Sequence, residues 1–442
     1  MADEPKPPIN LFRGWPNPSL HPTSALQAAA TTVLLNPALS TPALGYGPDE
    51  GDPGLRAEIA KWLTEFYSPN DPITADRICI SGGASQNLAC VLQVFSDAEY
   101  TRRVWMVEPT YYLACRIFDD AGFANRLRAV PEDPEGIDIG FLERELEKCE
   151  DGTGPFEPNS KSPRPWRKIY KHIVYAVPTF SNPSGRIMST RRREQLVRLA
   201  RKFDALVITD DVYDFLQWKS DSPSAAEHPR KAVAPRLVDI DRVLDGGPKD
   251  AFGNVVSNGS FSKLIGAGCR VGWAEGTAKF AYGVSQTGSS RSGGAPSQLT
   301  STYVRELLST SFLPDYIDNT LRPVYARRHR IMLTAIRDNL TEPGVRLVKE
   351  SNKFSGGYFV WLELPAGIKA SHLASKAQEE ESLLIGAGTM FRVEGDTSNQ
   401  ESRHNLERYV RLCFAYEEEQ NLTKGVERLA SLIRRYMRTL ET

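Results

Sequence analysis

The chain reads as an α/β protein, a mostly parallel sheet sandwiched by helices with a smaller α+β domain after it. Three observations predict this. Short apolar runs alternate with helical patterns from about residue 77 to 210. Those runs are continuously apolar, as strands buried on both faces are. The last stretch, 341–442, changes character to short strands with helices before and after. A length of 442 residues leaves room for two domains. The expected division is an arm at 1–45 packing with the small domain, a large domain at 46–320 and a small domain at 321–442.

In order, Pro7, Pro8, Pro16, Pro18 and Pro22 break any long element in the arm, while SALQAAATTVLL at 24–35 forms a helix. GYGPDEGDPG at 45–54 is dense in turn residues, and LRAEIAKWLTEFY after it has helical spacing. RICIS (77–81), RVWMVE (103–108), NRLRAV (125–130), HIVYAV (172–177) and ALVITD (205–210) are strands. Helices are expected at QNLACVLQVF (86–95), Tyr111 to Ala121, GFLERELEKC (140–149) and RRREQLVRLARKF (191–203). The Pro/Gly/Ser-rich 151–167 reads as a surface insertion and 219–253 as another polar segment. A Ser/Gly-rich loop at 285–297 precedes a long helical stretch over 297–340. GGYFVWLEL and RYVRLCFA are strands of the small domain, and the chain ends on a helix from about Glu417 to Thr439.

Composition excludes several classes. A net charge of −1 offers no field for nucleic acid or an anionic membrane. The six cysteines (Cys79, Cys90, Cys115, Cys149, Cys269, Cys413) form no CxxC pair and read as reduced. The six histidines are scattered too, without metal-ligand spacing, so no metal site is expected. A polar, Pro-rich start and no apolar run of membrane-spanning length point to a cytoplasmic protein.

The chemistry gathers on NGSFSKLIGAGCRVGW (258–273), where Ser260 and Ser262 precede Lys263 and Arg270 follows a small-residue turn. A lysine beside hydroxyls and a guanidinium suits an amine condensed with a phosphorylated aldehyde cofactor; a surface Ser-Lys loop is the other reading. GGAS at 82–85 sits between strand and helix, where backbone N–H groups cradle a phosphate. Tyr111, with Tyr112 as its competitor, follows a strand and is placed either to stack on a pyridine ring or to fill the core. Asn182 precedes a proline, an ordinary turn or an amide aimed inward. Asp210 ends a buried strand and needs a cationic partner, which a protonated pyridine nitrogen supplies. Tyr213 lies three residues on, while Asp211 and Asp214 are expected on a solvated face. Arg411, in an apolar strand, implies a carboxylate partner from a substrate or from the protein.

The order of these parts resembles class I/II aminotransferases, the fold-type I pyridoxal-phosphate enzymes, from about Asn10 to the C-terminus. EPTYY, NPSG, DDVY, SFSK, GGYFVWLELP and RLCFA are similar to the branch containing aminoadipate, kynurenine and aromatic aminotransferases. The resemblance implies a seven-stranded sheet and a bound pyridoxal 5′-phosphate. Lys263 would hold its aldehyde as a Schiff base, Asp210 the pyridinium proton, and Asn182 and Tyr213 the ring hydroxyl. Tyr111 would stack on the ring. Gly83, Ala84, Ser85, Ser260, Ser262 and Arg270 would surround the phosphate. Arg411 would clamp the substrate carboxylate, with Gly14 lining the substrate pocket. Tyr46, in LGYGP, matches a tyrosine that reaches the phosphate across a dimer interface, so a homodimer is implied. Ala84 stands where a serine is common, and AGCR replaces the usual PGLR before Arg270.

The expected activity is transfer of an amino group between an L-amino acid and a 2-oxo acid. Another pyridoxal-phosphate reaction, such as β-elimination, γ-substitution, decarboxylation or condensation, is the alternative. A cofactor-binding sensor without turnover is disfavoured by the near-zero charge and the lack of a DNA-binding module. For the substrate side chain, Arg13 or Arg291 would accept a second carboxylate, whereas Phe12, Trp15 and Tyr46 would suit an aromatic or large aliphatic group.

Overall fold

A computed structural model describes residues 6–151, 161–220, 229–348, 353–396 and 405–440. Its main sheet is built from β1 (Ile78–Ser81), β2 (Arg103–Glu108), β3 (Leu127–Asp133), β4 (Gly136–Ile137), β5 (His172–Ala176), β6 (Ala205–Asp210), β7 (Val255–Ser260) and β8 (Gly272–Glu275). The order across it is β1-β8-β7-β6-β5-β2-β3-β4. Seven strands have four residues or more, as expected, and the two-residue β4 adds an antiparallel edge. The pairs β7/β6, β6/β5, β5/β2 and β2/β3 are parallel. Only β8 runs against its two neighbours, β1 and β7.

Every residue of β5, β6 and β7 is buried, which is why these runs read as unbroken. One face packs Ile173, Leu206 and Ile208 with Leu88, Val91 and Phe95 of the Ala84–Phe95 helix. The other packs Val174, Val207 and Val255 with Leu196 and Val197 of the Thr190–Lys202 helix. Because β1, β7, β6, β5 and β2 share a direction, their carboxyl ends lie along one edge, where open α/β sheets bind ligands. The reversed β8 brings its start, just after Arg270, to that same edge, with Gly272 opposite both Ser81 and Ser260.

A second, antiparallel sheet has the order β9-β10-β12-β11, from β9 (Arg346–Leu347), β10 (Phe359–Glu363), β11 (Gly386–Ala387) and β12 (Tyr409–Cys413). The arm joins this part of the chain, Ile9–Asn10 pairing in parallel with Leu383–Leu384. Gln217–Lys219, soon after β6, pairs with Phe354–Gly356, which leads into β10. That short ladder ties the two sheets together beside the carboxyl edge of the first.

Three expectations are corrected. The stretch 297–340 is not one helix but Gln298–Ser309, Phe312–Tyr316, a π turn at Ile317–Leu321 and Arg322–Leu340. The first break falls at Ser311, whose φ of 59° is left-handed and ends α-helical propagation. The Tyr111–Ala121 helix likewise runs only over Tyr112–Phe118 before a π turn at Asp119–Phe123. Asp211 and Asp214 are not solvated but buried, at 4% and 3% exposure. Asp211 accepts hydrogen bonds from Thr209 and Ser257 (2.8 and 2.5 Å), and Asp214 accepts from the Tyr67 hydroxyl (3.0 Å). The buried cations Arg193 and Arg236 oppose them electrostatically, and Arg236 also pairs with Glu275 (2.6 Å) and Asp239 (2.9 Å). Period-2 alternation places Asp211 on the face of β6 opposite Asp210, and distant helices supply the cover and the countercharge.

Candidate active site

The carboxyl edge of the main sheet, the arm and the second sheet enclose a cavity of about 610 Å³. Of the fourteen residues to which the resemblance gives a role, twelve line it: Gly14, Ala84, Ser85, Tyr111, Asn182, Asp210, Tyr213, Ser260, Ser262, Lys263, Arg270 and Arg411. Strand β7 ends at Ser260 and the chain turns at once into a one-turn helix, Phe261–Lys263, which swings the lysine over the sheet edge. The amine of Lys263 donates to the Gly14 carbonyl of the arm at 2.6 Å. Burial pushes its pKa down to about 8, with Asp210 acting against that fall. A neutral, nucleophilic fraction is therefore present near neutral pH.

One corner is built to hold an anion. Gly83, with φ at 98°, caps the Ala84–Phe95 helix, and its first N–H groups have no intrahelical partner. A Cβ at Gly83 would stand 3.1 Å from the Arg270 guanidinium, so glycine is what lets Arg270 close over the turn. Ser260 donates to the Ser262 hydroxyl (2.9 Å) and accepts from its N–H (3.1 Å). Arg270 is anchored through the Gly82 and Ala267 carbonyls, with no carboxylate partner among the described residues.

At the floor, Asp210 accepts from the Tyr175 hydroxyl at 2.9 Å, while its other oxygen, Oδ1, is buried without a partner. Burial raises this carboxyl to about 6. Burial likewise lifts Tyr111 to about 12 and Tyr213 well above the ordinary phenol range, so both stay protonated donors.

Arg411 is 3% exposed on β12. It donates to Asn182 Oδ1 and to the Phe12 carbonyl, both at 2.7 Å, while its Nε has no partner. Its guanidinium lies 3.9 Å from the centre of the Phe359 ring. A Cβ on Gly14 would fall 2.5 Å from that same ring, so the glycine lets the arm cross Phe359 and offer its carbonyl to Lys263. Burial draws Arg411 down to about 10, still protonated at neutral pH, and no carboxylate pairs with it among the described residues.

The structure leaves three residues off this lining. Gly83 lies behind the anion corner, and Tyr46 is 93% exposed, away from the cavity. Arg291 is also outside it, exposed and committed to Asp49, which removes it as a second carboxylate acceptor within this cavity. Arg13 does line the cavity, its guanidinium 4.7 Å from the Trp15 ring centre and 3.4 Å from the Tyr416 hydroxyl. Among the lining residues that escaped sequence reasoning are two polar ones. Tyr175, the only hydroxyl in the buried run HIVYA, was the available signal for a partner of Asp210. Asn258, opposite Asp210 in the β6/β7 register, donates to the Ala84 carbonyl and accepts from Asn87, fixing the start of the Ala84–Phe95 helix.

No cluster that could hold a metal ion occurs among the described residues. None of their helices is long and apolar enough to cross a membrane. Comparison with known proteins agrees with the geometry. A model of class I and II aminotransferases matches residues 16–429. An uncharacterised protein of Saccharomyces cerevisiae is 32% identical over 437 residues, covering 95% of each chain. The aromatic-amino-acid aminotransferase 1 of Thermococcus litoralis is 27% identical, over 97% of this chain and 89% of its own. The crystal structure of the α-aminoadipate aminotransferase of Thermus thermophilus superposes with a TM-score of 0.74 at 26% identity, covering 98% of this chain and 93% of that one. The chain belongs to the class I and II aminotransferases and is a pyridoxal-phosphate-dependent transaminase, moving an amino group between an amino acid and a 2-oxo acid.

Proposed function

We propose that this cavity is the transaminase active site and that Lys263 is its reactive amine. The donor set fits pyridoxal phosphate. Asp210 Oδ1 is a buried acceptor without a hydrogen-bond partner, Arg411 is a buried cation that lacks a carboxylate, and the first N–H groups of the Ala84–Phe95 helix have no intrahelical partner. The unpaired Arg411 carries the reading: a guanidinium this buried without a carboxylate is costly unless a ligand brings one. The bound cofactor supplies an aldehyde that takes up the amino group and a ring that accepts electron density as the substrate Cα–H bond breaks.

The protein's own groups do the rest. Asp210, held by Tyr175, would hold the protonated ring nitrogen with its negative charge. Tyr213 and the Asn182 amide would donate to the ring hydroxyl, and Tyr111 would cover the ring face. Gly83, Ala84, Ser85, Ser260, Ser262 and Arg270 would hold the phosphate. Arg411 orients the substrate carboxylate by a bidentate contact, with Asn182 and the Gly14 backbone beside it. Lys263 Nζ, with its lowered pKa, would take the substrate Cα proton and hold it for return.

Phe12, Trp15, Tyr112, Leu113, Ile117 and Leu384 make the rest of the cavity apolar, which favours an aromatic or large aliphatic side chain on the amino acid. Arg13 favours a second reading, a distal carboxylate on one of the two substrates. The exposed Leu34, Leu35, Leu44 and Tyr46 favour a homodimer in which Tyr46 serves the phosphate of the partner copy. All six cysteines are free, which favours the cytoplasm. We further take 1–45 as the arm, 46–320 as the large domain and 321–442 as the small one. A panel of amino acids mixed with the loaded enzyme, read by the change in cofactor absorbance, tests the substrate class. Lys263→Ala is expected to lower turnover by about 10⁴-fold or more. A Lys263→Ala protein as active as the parent defeats the proposal.

A further inference from the structure

Lys263 is the last residue of its one-turn helix, and the N–H groups of Leu264 and Ile265 both return to the Phe261 carbonyl. The Lys263 carbonyl is therefore one of the helix-end acceptors that need a partner from elsewhere. The Tyr358 hydroxyl supplies it, donating at 3.0 Å. Behind it stands the Tyr325 hydroxyl at 3.2 Å, and both tyrosines are fully buried. A phenol has one proton, so Tyr358, having given its own to Lys263, can only accept from Tyr325. The direction of the chain is thereby set, from Tyr325 to Tyr358 to the lysine backbone.

The two hydroxyls come from outside the main sheet. Tyr325 lies on the Arg322–Leu340 helix and Tyr358 immediately before β10. The ladder of Gln217–Lys219 with Phe354–Gly356, and the bond from Gly357 N–H to the Leu216 carbonyl, bring Tyr358 to this point. Gly357 turns the chain there with φ at 68°. The Tyr358 ring also stands edge-on to Tyr213 at 5.5 Å, and the Lys263 amine is 5.3 Å from its centre.

We infer that Tyr358 is a positioning residue for Lys263, holding the lysine's backbone carbonyl still while its amine moves, with Tyr325 setting Tyr358 in turn. This rests on Lys263 being the reactive amine. A lysine that shuttles a proton swings about its own Cα, so an anchored carbonyl confines the motion to the side chain.

Tyr358→Phe keeps the ring and removes only the hydroxyl. In the loaded enzyme it is expected to lower kcat about tenfold, leave KM within about twofold and raise the Cα-deuterium isotope effect on kcat, since proton transfer becomes more limiting. In the cofactor-free chain, amide hydrogen exchange across 261–266 is expected to rise about tenfold. Tyr325→Phe shifts each readout in the same direction by less, and the double variant matches Tyr358→Phe alone. A lower melting temperature with kcat, isotope effect and local exchange unchanged shows mere core filling and overturns the inference. Should Tyr358→Phe not fold, Tyr325→Phe carries the same comparison. Lys263→Ala separates the two failures. If it is inactive while the tyrosine variants behave as the parent, positioning alone falls; if it is fully active, the reading of the lysine falls too.

Discussion

Asp210 and Asp211 are neighbours at the end of one strand, both buried, with opposite electrostatic circumstances. Asp211 faces hydroxyls and two buried arginines in a network that also takes in Asp214, Asp239 and Glu275. Asp210 has the Tyr175 phenol and no buried guanidinium opposing it, at the edge of a cavity, although Oδ1 of each aspartate is without a hydrogen-bond partner. Burial of charge alone thus does not distinguish structure from chemistry. Burial without a matching countercharge, beside open space, does, because the missing interaction must come from a ligand. Arg411 shows the same pattern with the opposite sign.

The sharpest way to break this comparison is on the structural side. Arg236→Met leaves Asp239 buried without its cation and Glu275 with only the more distant Arg77 (3.6 Å), and is expected to cost about 3–5 kcal/mol in denaturant unfolding, with kcat kept in the protein that remains folded. Loss of kcat without loss of stability would reverse the assignment of the two faces. On the cavity side, Asp210→Asn is expected to lower kcat about 10²–10³-fold. Its effect on stability has the opposite sign to that of Arg236→Met. The folded chain keeps the Asp210 proton up to about 6, above the ordinary carboxyl value, so the cofactor-free protein loses stability as pH rises from about 4 to about 6. Cofactor-free Asp210→Asn should therefore exceed the parent by about 1–3 kcal/mol near pH 8, and the gain should vanish below about pH 4. Thermal melts across pH read this directly, and a variant less stable at every pH would count against a lone buried carboxylate. The smallest effect is on Lys263. Its labelling by an amine-reactive reagent in the cofactor-free chain should reach half its maximal rate near pH 8, below the surface lysines. A midpoint shared with the surface lysines would place the amine in bulk water.

The strands at 78–81, 103–108, 172–176 and 205–210 were legible because each is a continuous apolar run, which only a sheet covered on both faces requires. The cavity residues were legible as types out of place: a carboxylate closing ALVITD, an arginine inside YVRLCF, a lysine after two serines. The burial of Asp211 and Asp214 was not legible, since their cations lie at 193 and 236, one on the helix before β6 and one within the polar segment 219–253. Nor was the break at Ser311, where a serine adopts a left-handed conformation that propensity gives no reason to expect. Arg291 could not be told from Arg13 by composition. Asp49 engages the first, and the course of the arm carries the second to the cavity.

The amino-acid order by itself determined the α/β class, the alternation that lines up the carboxyl ends and the identity of the groups set there, because periodicity and residue chemistry are local properties. Tertiary structure alone decided which of those groups are left without a countercharge, and that the Tyr325 and Tyr358 hydroxyls meet the Lys263 carbonyl. Charge balance and hydrogen-bond partnership are set by atoms distant in the chain, and no local pattern records which of them fold together.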